Sequence, residues 1–480
     1  MHKTNLAVVQ SYIGGEYQAC AHGSRIPLIH PESLQVAGHI EEANAEQVEH
    51  AVAAGHKAFI GNRTVPLFHR ISWLNAAAGL MEERKSQIAE LILEDVGKPR
   101  RIAEGEVVRS IQFVRACAIQ LQSMGGETLP LDMTVAGAGR FGFTRRVPYG
   151  VVAAITPFNA PANLLIQKIA PALAAGNAVI VKPHLAASRT TLAIAECFHA
   201  GGFPSGLLGV VVGDRMPVAP LVTDRRIRAI TFTGGSEAGN AIARLAGAKK
   251  FIAELGSNSA NIVLEDADLG DAAKKIASAA FEASGQQCVS AQRVIVAAAV
   301  YEEFLAHLVA ATLQLKVGSP RDKETDIGPM VSITAADKVM GMAESAIKGG
   351  ATYVLAPKQE GCFVTPGIIA DDSGNSSVWK DEVFGPLVVI RQAKDIGEAL
   401  DLANDSPFGL QGAVFTRSLP ASFECIDEFD VGSLWINEAS RFRLDTYPFG
   451  GVKDSGFGRE GVRFAIEELS QLKFIGIKPR

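Results

Sequence analysis

The sequence predicts an α/β protein in which a doubly wound, parallel sheet is followed by a second α/β domain. Three observations carry this reading. Short apolar runs alternate with helical stretches through the first half of the chain, the runs are continuously apolar, and a second series of the same kind follows from about Gln292. Unbroken apolarity is what strands need when helices cover both of their faces, and strand–helix alternation builds parallel sheets through crossover connections. At 480 residues the chain exceeds what one core usually organises, so more than one domain is expected.

The elements follow in order. From Ala43 to about Arg101, Ala and Leu recur at helical spacing among Glu, Lys and Arg, which predicts a helical N-terminal region. The stretch ETLPLDMTVAGAGRFGFTRRVPYG (127–150) has a β-type pattern with glycines and is expected to project as a hairpin. Strands are then expected at VVAAITP (151–157), NAVIVKP (177–183), LLGVVVG (207–213), IRAITFTGG (227–235), FIAEL (251–255) and ANIVLE (260–265). In the second series they fall at RVIVAAAV, ATYVLAP, PLVVI, QGAVFT and GSLWIN. The terminal FIGIKP (474–479) reads as a strand without a local partner, so it must join another sheet or another subunit to satisfy its backbone.

Composition narrows the function. With 46 Lys+Arg against 51 Asp+Glu the net charge is −5, which leaves no basic excess for a nucleic-acid footprint. At 48% hydrophobic and 20% charged, the chain is of the globular class. It contains no run of 18 apolar residues and no signal-peptide pattern near the N-terminus, so a cytoplasmic protein without a membrane partner is expected. The six cysteines are scattered without a CxxC pair, and no His cluster has metal-ligand spacing. No metal site is expected, and a cysteine of interest here is a free thiol in an activating environment.

Cys288, in FEASGQQCVSAQRV, follows a glycine and two glutamines between a helical and a strand-like stretch. A lone cysteine is more often merely buried; its company decides. Glu254 ends an apolar strand in FIAELGSNSANIV, where a carboxylate is either a solvated acid or a base at the carboxyl edge of the sheet, the edge at which doubly wound folds bind ligands. Asn159, at a strand-to-helix turn, either caps the helix or donates to a developing oxyanion. Lys182 ends the next strand as a solvated terminus or a ribose contact. TFTGGSEAG (231–239) runs from strand through two glycines into a helix, leaving N–H groups free for a pyrophosphate without the usual GxGxxG fingerprint.

Jointly, PFN (157–159), GNAVIVKP (176–183), FTGGSEAG (232–239), ELG (254–256), GQQC (285–288), EVFGP (382–386) and PFGGVKDSGFGREG (448–461) resemble the aldehyde dehydrogenase superfamily in order and spacing, over nearly the whole chain. Within it, INEASRFRLDTYPFGG (436–451) is similar to the lactaldehyde, glyceraldehyde-3-phosphate and phosphonoacetaldehyde dehydrogenase branch. The resemblance implies a Rossmann-like cofactor domain (1–122 and 149–256), an α/β catalytic domain (257–466) and a small β oligomerisation element (123–148 and 467–480) of a homodimer or homotetramer. It also implies oxidation of a small, polar aldehyde to its acid with NAD or NADP. Cys288 is then the nucleophile, Asn159 the oxyanion donor and Glu254 the base that hydrolyses a thioester. A glutamate at that place disfavours transfer to coenzyme A; the acylating semialdehyde dehydrogenases and the succinate-semialdehyde type stand as alternatives, beside a non-catalytic scaffold.

Cofactor contacts implied in the same way are Thr156, Pro157, Phe158, Lys182, Gly234, Gly235, Ser236, Leu255, Glu382 and Phe384, with Glu460 as a second, proton-relaying glutamate. Leu185 stands where NAD-selective members carry a glutamate, which makes NADP acceptable; His184 and Arg189 are either phosphate contacts or surface residues. Substrate candidates are Asn163, Gln167, Gln287, Arg441 and Phe449. Ala160, Leu164 and the polar Asn163 and Gln167 suit a small oxygenated aldehyde. Arg441 and Arg443 either meet an anionic group or belong to structural ion pairs, and Gln287, where anion-binding relatives carry arginine, argues against a phosphonate or carboxylate.

Overall fold

The computed structural model describes residues 7–479; Met1–Leu6, at the start of the expected first domain, and Arg480, at the end of the expected oligomerisation element, lie outside it. The first sheet has eight strands. Its centre is parallel, in the order Lys250–Glu254, Ile227–Thr233, Val151–Thr156, Ala178–Pro183 and Leu208–Val210. Every residue of Val151–Thr156 and of Ala178–Pro183 is buried, as their unbroken apolarity demands. Helices Ala45–Asn62, Pro161–Ala175 and Ser188–Ala200 pack against these strands. The first is capped by the Asn44 side chain, which accepts from the Gln47 N–H at 2.9 Å, and the second starts on Pro161 and stops at Gly176 in the left-handed region.

The expected N-terminal helical region is present as Ala45–Asn62, Leu67–Glu83, Lys85–Val96 and Arg100–Gln120. Ahead of it, Ser11–Ile13 and Glu16–Gln18 extend the first sheet in antiparallel fashion beyond Leu208–Val210, and Val8–Val9, Arg25–Ile29 and Val36–Glu41 form a separate three-stranded sheet. The second large sheet has seven strands, in the order Thr352–Leu355, Gly367–Ala370, Leu387–Ala393, Arg293–Ala297, Ala260–Val263, Gln411–Phe415 and Ser433–Ile436, parallel except for the first. Residues 255–259 alone connect the two sheets in sequence between Lys250–Glu254 and Ala260–Val263, so the carboxyl ends of the first sheet face directly onto the second unit.

The C-terminal segment turns back. Gly456–Phe457 pairs antiparallel with Lys250–Glu254, placing Gly456 beside Glu254, and helix Val462–Glu468 contributes Val462 and Ile466 to the core of the first sheet. The terminal strand Ser470–Ile477 finds a partner within its own chain, lying antiparallel along all of Phe141–Pro148, which also pairs with Thr128–Leu129. Residues 127–150 thus do carry a hairpin-like projection. Among the described residues no helix is long and apolar enough to cross a membrane, and no group of three or more His, Cys, Asp or Glu is placed to hold a metal ion.

Asn177, in the GNAVIVKP segment, ties these parts together. Its Oδ1 accepts from the N–H groups of Tyr149 and Gly150 at 2.8 and 3.1 Å, and its Nδ2 donates to the carbonyls of Ala172 and Leu469, both at 2.9 Å. The side chain is fully buried. Asn177→Ala leaves those backbone groups without partners and is expected to cost about 3 kcal/mol, read as a lower urea midpoint at unchanged m-value.

Candidate active site

Cys288 lies at the end of a strained turn. Ala283, Ser284 and Gly285 are all left-handed, with φ of 52°, 59° and 65°. For the two non-glycine residues this costs conformational energy that only the surroundings can hold in place. Ser284 Oγ donates to the Gly328 carbonyl at 2.8 Å, and Gly285 abuts Gly385 so closely that a Cβ would stand 2.2 Å from the Gly385 carbonyl oxygen. Beyond Cys288, Val289 is fixed through its carbonyl, which accepts from Ser440 Oγ at 3.0 Å. Partly buried Cys288 packs against Val289, Leu410, Phe449 and Tyr447. Burial pushes its thiol up to about 12; Arg443 opposes that shift, while Glu382, Glu254 and Glu460 add to it.

Glu254 is the last residue of its strand, buried, with neither carboxylate oxygen hydrogen-bonded. Burial first, and then the neighbouring Glu460, hold its carboxyl well above the usual range, against Arg443, Lys168 and Arg459. Glu460 has the opposite fate. Burial raises it, but Lys168 and Arg443, each 3.0 Å from one of its oxygens, hold it below the usual range. Two adjacent carboxylates are thereby driven apart in proton affinity, the pattern that separates an acid–base group from a fixed charge.

Asn159 is anchored through its backbone. Buried Lys98 donates to the Asn159 carbonyl at 2.6 Å and pairs with Glu106, whose other oxygen accepts from Ala162 N–H at 2.8 Å and Asn163 N–H at 3.1 Å, capping helix Pro161–Ala175 from outside its own sequence. The Asn159 amide takes no protein partner among the described residues. It therefore remains free to donate to a ligand oxygen.

On the side of the first sheet, the remaining groups fit a dinucleotide. Helix Ser236–Ala246 starts after Gly234 and Gly235 with no side chain on its first N–H groups, and Thr156 Oγ1 and Thr233 Oγ1 are buried without partners at the carboxyl ends of their strands. Gly256 N–H bonds Ser236 Oγ at 3.2 Å, and Ser257 N–H bonds Glu382 Oε1 at 3.0 Å. Burial raises Glu382 to about 7 against that bond and against Lys338. Phe384 has φ of 55° and meets Phe158 edge to face at 6.0 Å. Leu255 fills the space that Gly239 leaves in the helix. Lys182 is buried apart from the Cys288 group; burial lowers it to about 8, with Asp214 and Glu42 opposing. Arg189 is not free for a phosphate: its guanidinium is committed to Asp95, with Glu94 at 3.4 Å. His184 Nδ1 accepts from the Ala186 N–H at 3.2 Å, and burial, then Lys182, lower the ring to about 4 against Asp214, so it brings no positive charge there.

Asn163 Oδ1 and Gln167 Oε1 are buried without partners, while Gln167 Nε2 donates to Asp445 at 3.2 Å. Arg441 reaches Gln287 Oε1 at 3.4 Å and pairs with Glu282, so a guanidinium stands beside the residue that precedes Cys288. Burial, then Arg109 and Arg101, lower Arg441 to about 10. Arg443 lies flat over Phe449, 3.5 Å from the ring centre. A cavity of about 430 Å³ opens beside them, lined by Arg109, Lys274, Lys275, Arg441 and Arg443, with Glu438 as its carboxylate. Sequence reasoning missed Lys98, Glu106, Lys168, Glu282, Asp445 and the lysines of this cavity. Lys168 alone carried a signal, as one charge inside an otherwise apolar helical run.

The Aldehyde dehydrogenase family model matches residues 17–475. The chain is 38% identical over 465 residues to 3-sulfolactaldehyde dehydrogenase of Priestia aryabhattai, covering 97% of each, and 35% identical to lactaldehyde dehydrogenase of Methanocaldococcus jannaschii, covering 93% of this chain and 96% of the other. Among solved structures, NADP-dependent glyceraldehyde-3-phosphate dehydrogenase from Bacillus halodurans, complexed with NADP, superposes with a TM-score of 0.96 at 34% identity, over 98% of this chain and 99% of that one.

The raised thiol sets a reactivity test. Because the thiolate is the minor form at neutral pH and grows as pH rises, alkylation of Cys288 by iodoacetamide in the free protein is expected to accelerate roughly tenfold per pH unit from 7 to 10. A plateau near pH 7 in the stopped-time labelling rates contradicts the electrostatics described.

Proposed function

The chain belongs to the aldehyde dehydrogenase family, and from that premise we propose that it oxidises a small aldehyde bearing an anionic group to the carboxylic acid with NAD or NADP. The cavity beside Arg441 and Arg443 carries the substrate class: five basic side chains against one carboxylate, in a volume of about 430 Å³, favour a short chain ending in a sulfonate, phosphate or carboxylate. Relatives named for 3-sulfolactaldehyde and sulfoacetaldehyde are consistent with that choice.

In the reaction, Cys288 attacks the aldehyde carbon as thiolate, and the resulting oxyanion is held by the Asn159 amide and the Cys288 N–H. Thr156, Pro157, Phe158, Gly234, Gly235, Ser236 and Leu255 line the dinucleotide site, with Lys182 and Glu382 on its riboses and Phe384 supporting its nicotinamide end. When bound, the dinucleotide supplies the hydride acceptor that converts the cysteine adduct to a thioester. Glu254 takes a proton from water, the hydroxyl adds to the thioester carbon, and the C–S bond breaks to release acid and thiol. Its lack of any protein hydrogen bond supports this role, because a base already satisfied by the protein has no free lone pair for water.

Two finer readings belong here. The outer edge of Ser470–Ile477 with exposed Leu472, Phe474 and Ile477 supports assembly through residues 123–148 and 467–480 into a homodimer or homotetramer. Six unpaired cysteines suit a reducing compartment, and we place the enzyme in the cytoplasm.

Glu254→Gln is expected to keep a first-turnover burst of reduced nicotinamide while steady-state turnover falls on the order of a hundredfold, since only deacylation loses its base. Loss of the burst itself overturns the assignment. Across an aldehyde panel with each cofactor, kcat/KM is expected to be at least about tenfold higher for 3-sulfolactaldehyde or succinate semialdehyde than for lactaldehyde or butanal, the margin of one charge-assisted contact of about 1.5 kcal/mol; parity overturns the anionic reading.

A further inference from the structure

Arg443 stands where the basic cavity and the catalytic carboxylates meet. Its side chain is 8% exposed. One terminal nitrogen donates to Glu460 Oε2 at 3.0 Å, and the guanidinium lies over Phe449, a member of the apolar cluster against which Cys288 packs. Its Nε is buried without a partner, and the residue lines the cavity. The other cations there are neutralised elsewhere or exposed: Arg109 forks onto Asp445 at 2.6 and 2.9 Å, Arg441 pairs with Glu282, Lys275 with Asp271 at 2.9 Å, and Lys274 is exposed. Arg443 alone joins the cavity to a carboxylate of the catalytic group.

We propose that Arg443 is a positioning residue that couples occupation of the cavity by the substrate's anionic end to the Glu254–Glu460 pair. This rests on the anionic-substrate reading above. Arg443 lines the cavity while its Nη2 donates to Glu460, so an anion held in the cavity stands beside the same guanidinium that the carboxylate pair faces. Such an anion offsets the positive charge that Glu254 and Glu460 otherwise feel, without any movement of the backbone.

The groups facing Glu254 decide the sign. Glu460 and Arg459 approach from the segment before helix Val462–Glu468, Arg443 from the loop after Ser433–Ile436, Lys168 from helix Pro161–Ala175, and Cys288 from the second unit. Of the three cations, Lys168 and Arg459 remain when an anion binds, while Arg443 is offset. The proton affinity of Glu254 therefore rises when an anionic substrate is in place and stays lower with a neutral aldehyde, so the ionised base that deacylation needs appears at higher pH for the anionic substrate.

The test is the pH dependence of steady-state turnover after the burst, with succinate semialdehyde against butanal and with 3-sulfolactaldehyde against lactaldehyde. In the wild-type enzyme the acid limb is expected about one pH unit higher for each anionic member, the scale of one nearby unit charge in a partly screened interior. In Arg443→Gln the limbs should coincide, and Arg443→Lys should restore part of the separation. Should Arg443→Gln not fold, methanesulfonate added to the wild-type enzyme turning over butanal should by itself move the limb upward. Coincident limbs in the wild type, with the anionic aldehydes still preferred in kcat/KM, overturn the coupling and leave the substrate reading standing; absence of that preference removes both.

Discussion

Four charged side chains share one dry volume in this protein, and most of its architecture serves to bring them there. Glu254 comes from the end of a central strand, Lys168 from the middle of the helix that follows Asn159, Glu460 from the segment that folds back onto the first sheet, and Arg443 from a loop of the second unit. A carboxylate buried alone is prohibitive, and a buried pair repays its desolvation only when the geometry is good. Glu460 meets that condition with two cations at 3.0 Å, and its backbone is locked to Phe449 by a reciprocal pair of hydrogen bonds. Glu254 does not, and burial holds its carboxyl well above the usual range. Removing either Lys168 or Arg443 leaves Glu460 under-compensated, so the cluster constrains the helix, the returning segment and the loop together.

Cys288 depends on a different constraint, which is steric. Three successive left-handed residues before Cys288 wedge against Gly385, next to Phe384, which is itself left-handed. Each turn blocks the relaxation of the other. The same contact links the chemistry to the dinucleotide side, because Phe384 and Glu382 belong to one short segment, and Glu382 is bonded through Ser257 to the linker that leaves Glu254. The positions of Cys288, Phe384 and Glu254 are therefore set by one continuous chain of contacts across the seam between the sheets.

Much of this was readable from the sequence, and the divide between what was and was not follows the range of the interactions. The parallel strands announced themselves because burial on both faces leaves an unbroken apolar run, and the helices because their period is local. Cys288, Glu254 and Asn159 stood out through the company of recurring segments. Among the strands before Ala45, Val8–Val9, Ser11–Ile13 and Glu16–Gln18 were missed because two or three residues are too few to show a period. The return of Gly456–Phe457 to Glu254 depends on two hundred residues of intervening fold. Lys98 and Glu106 read as ordinary surface charges, for nothing nearby in sequence says that Glu106 caps a helix some 56 positions onward. Arg189 had a helpful place in sequence but Asp95 claimed it in space.

The basic cavity raises a question of selectivity, since most of its cations already have carboxylate partners. A paired guanidinium projects little net potential into solvent, so long-range attraction alone discriminates weakly between charged and neutral aldehydes. Discrimination has to come from donors that remain unsatisfied in the resting protein. Arg443 Nε is such a donor, buried, while the amide oxygens of Asn163 and Gln167 are unsatisfied acceptors that suit a hydroxyl on the same small molecule. A ligand that brings an acceptor to Arg443 and a hydroxyl to those amides relieves all three at once, whereas an alkyl chain leaves each of them dry and unpaired. On the proposed substrate class, rejection of the apolar aldehyde is then the stronger half of the specificity, because the cost of an unmade hydrogen bond in a closed site exceeds the gain of one made in exchange with water.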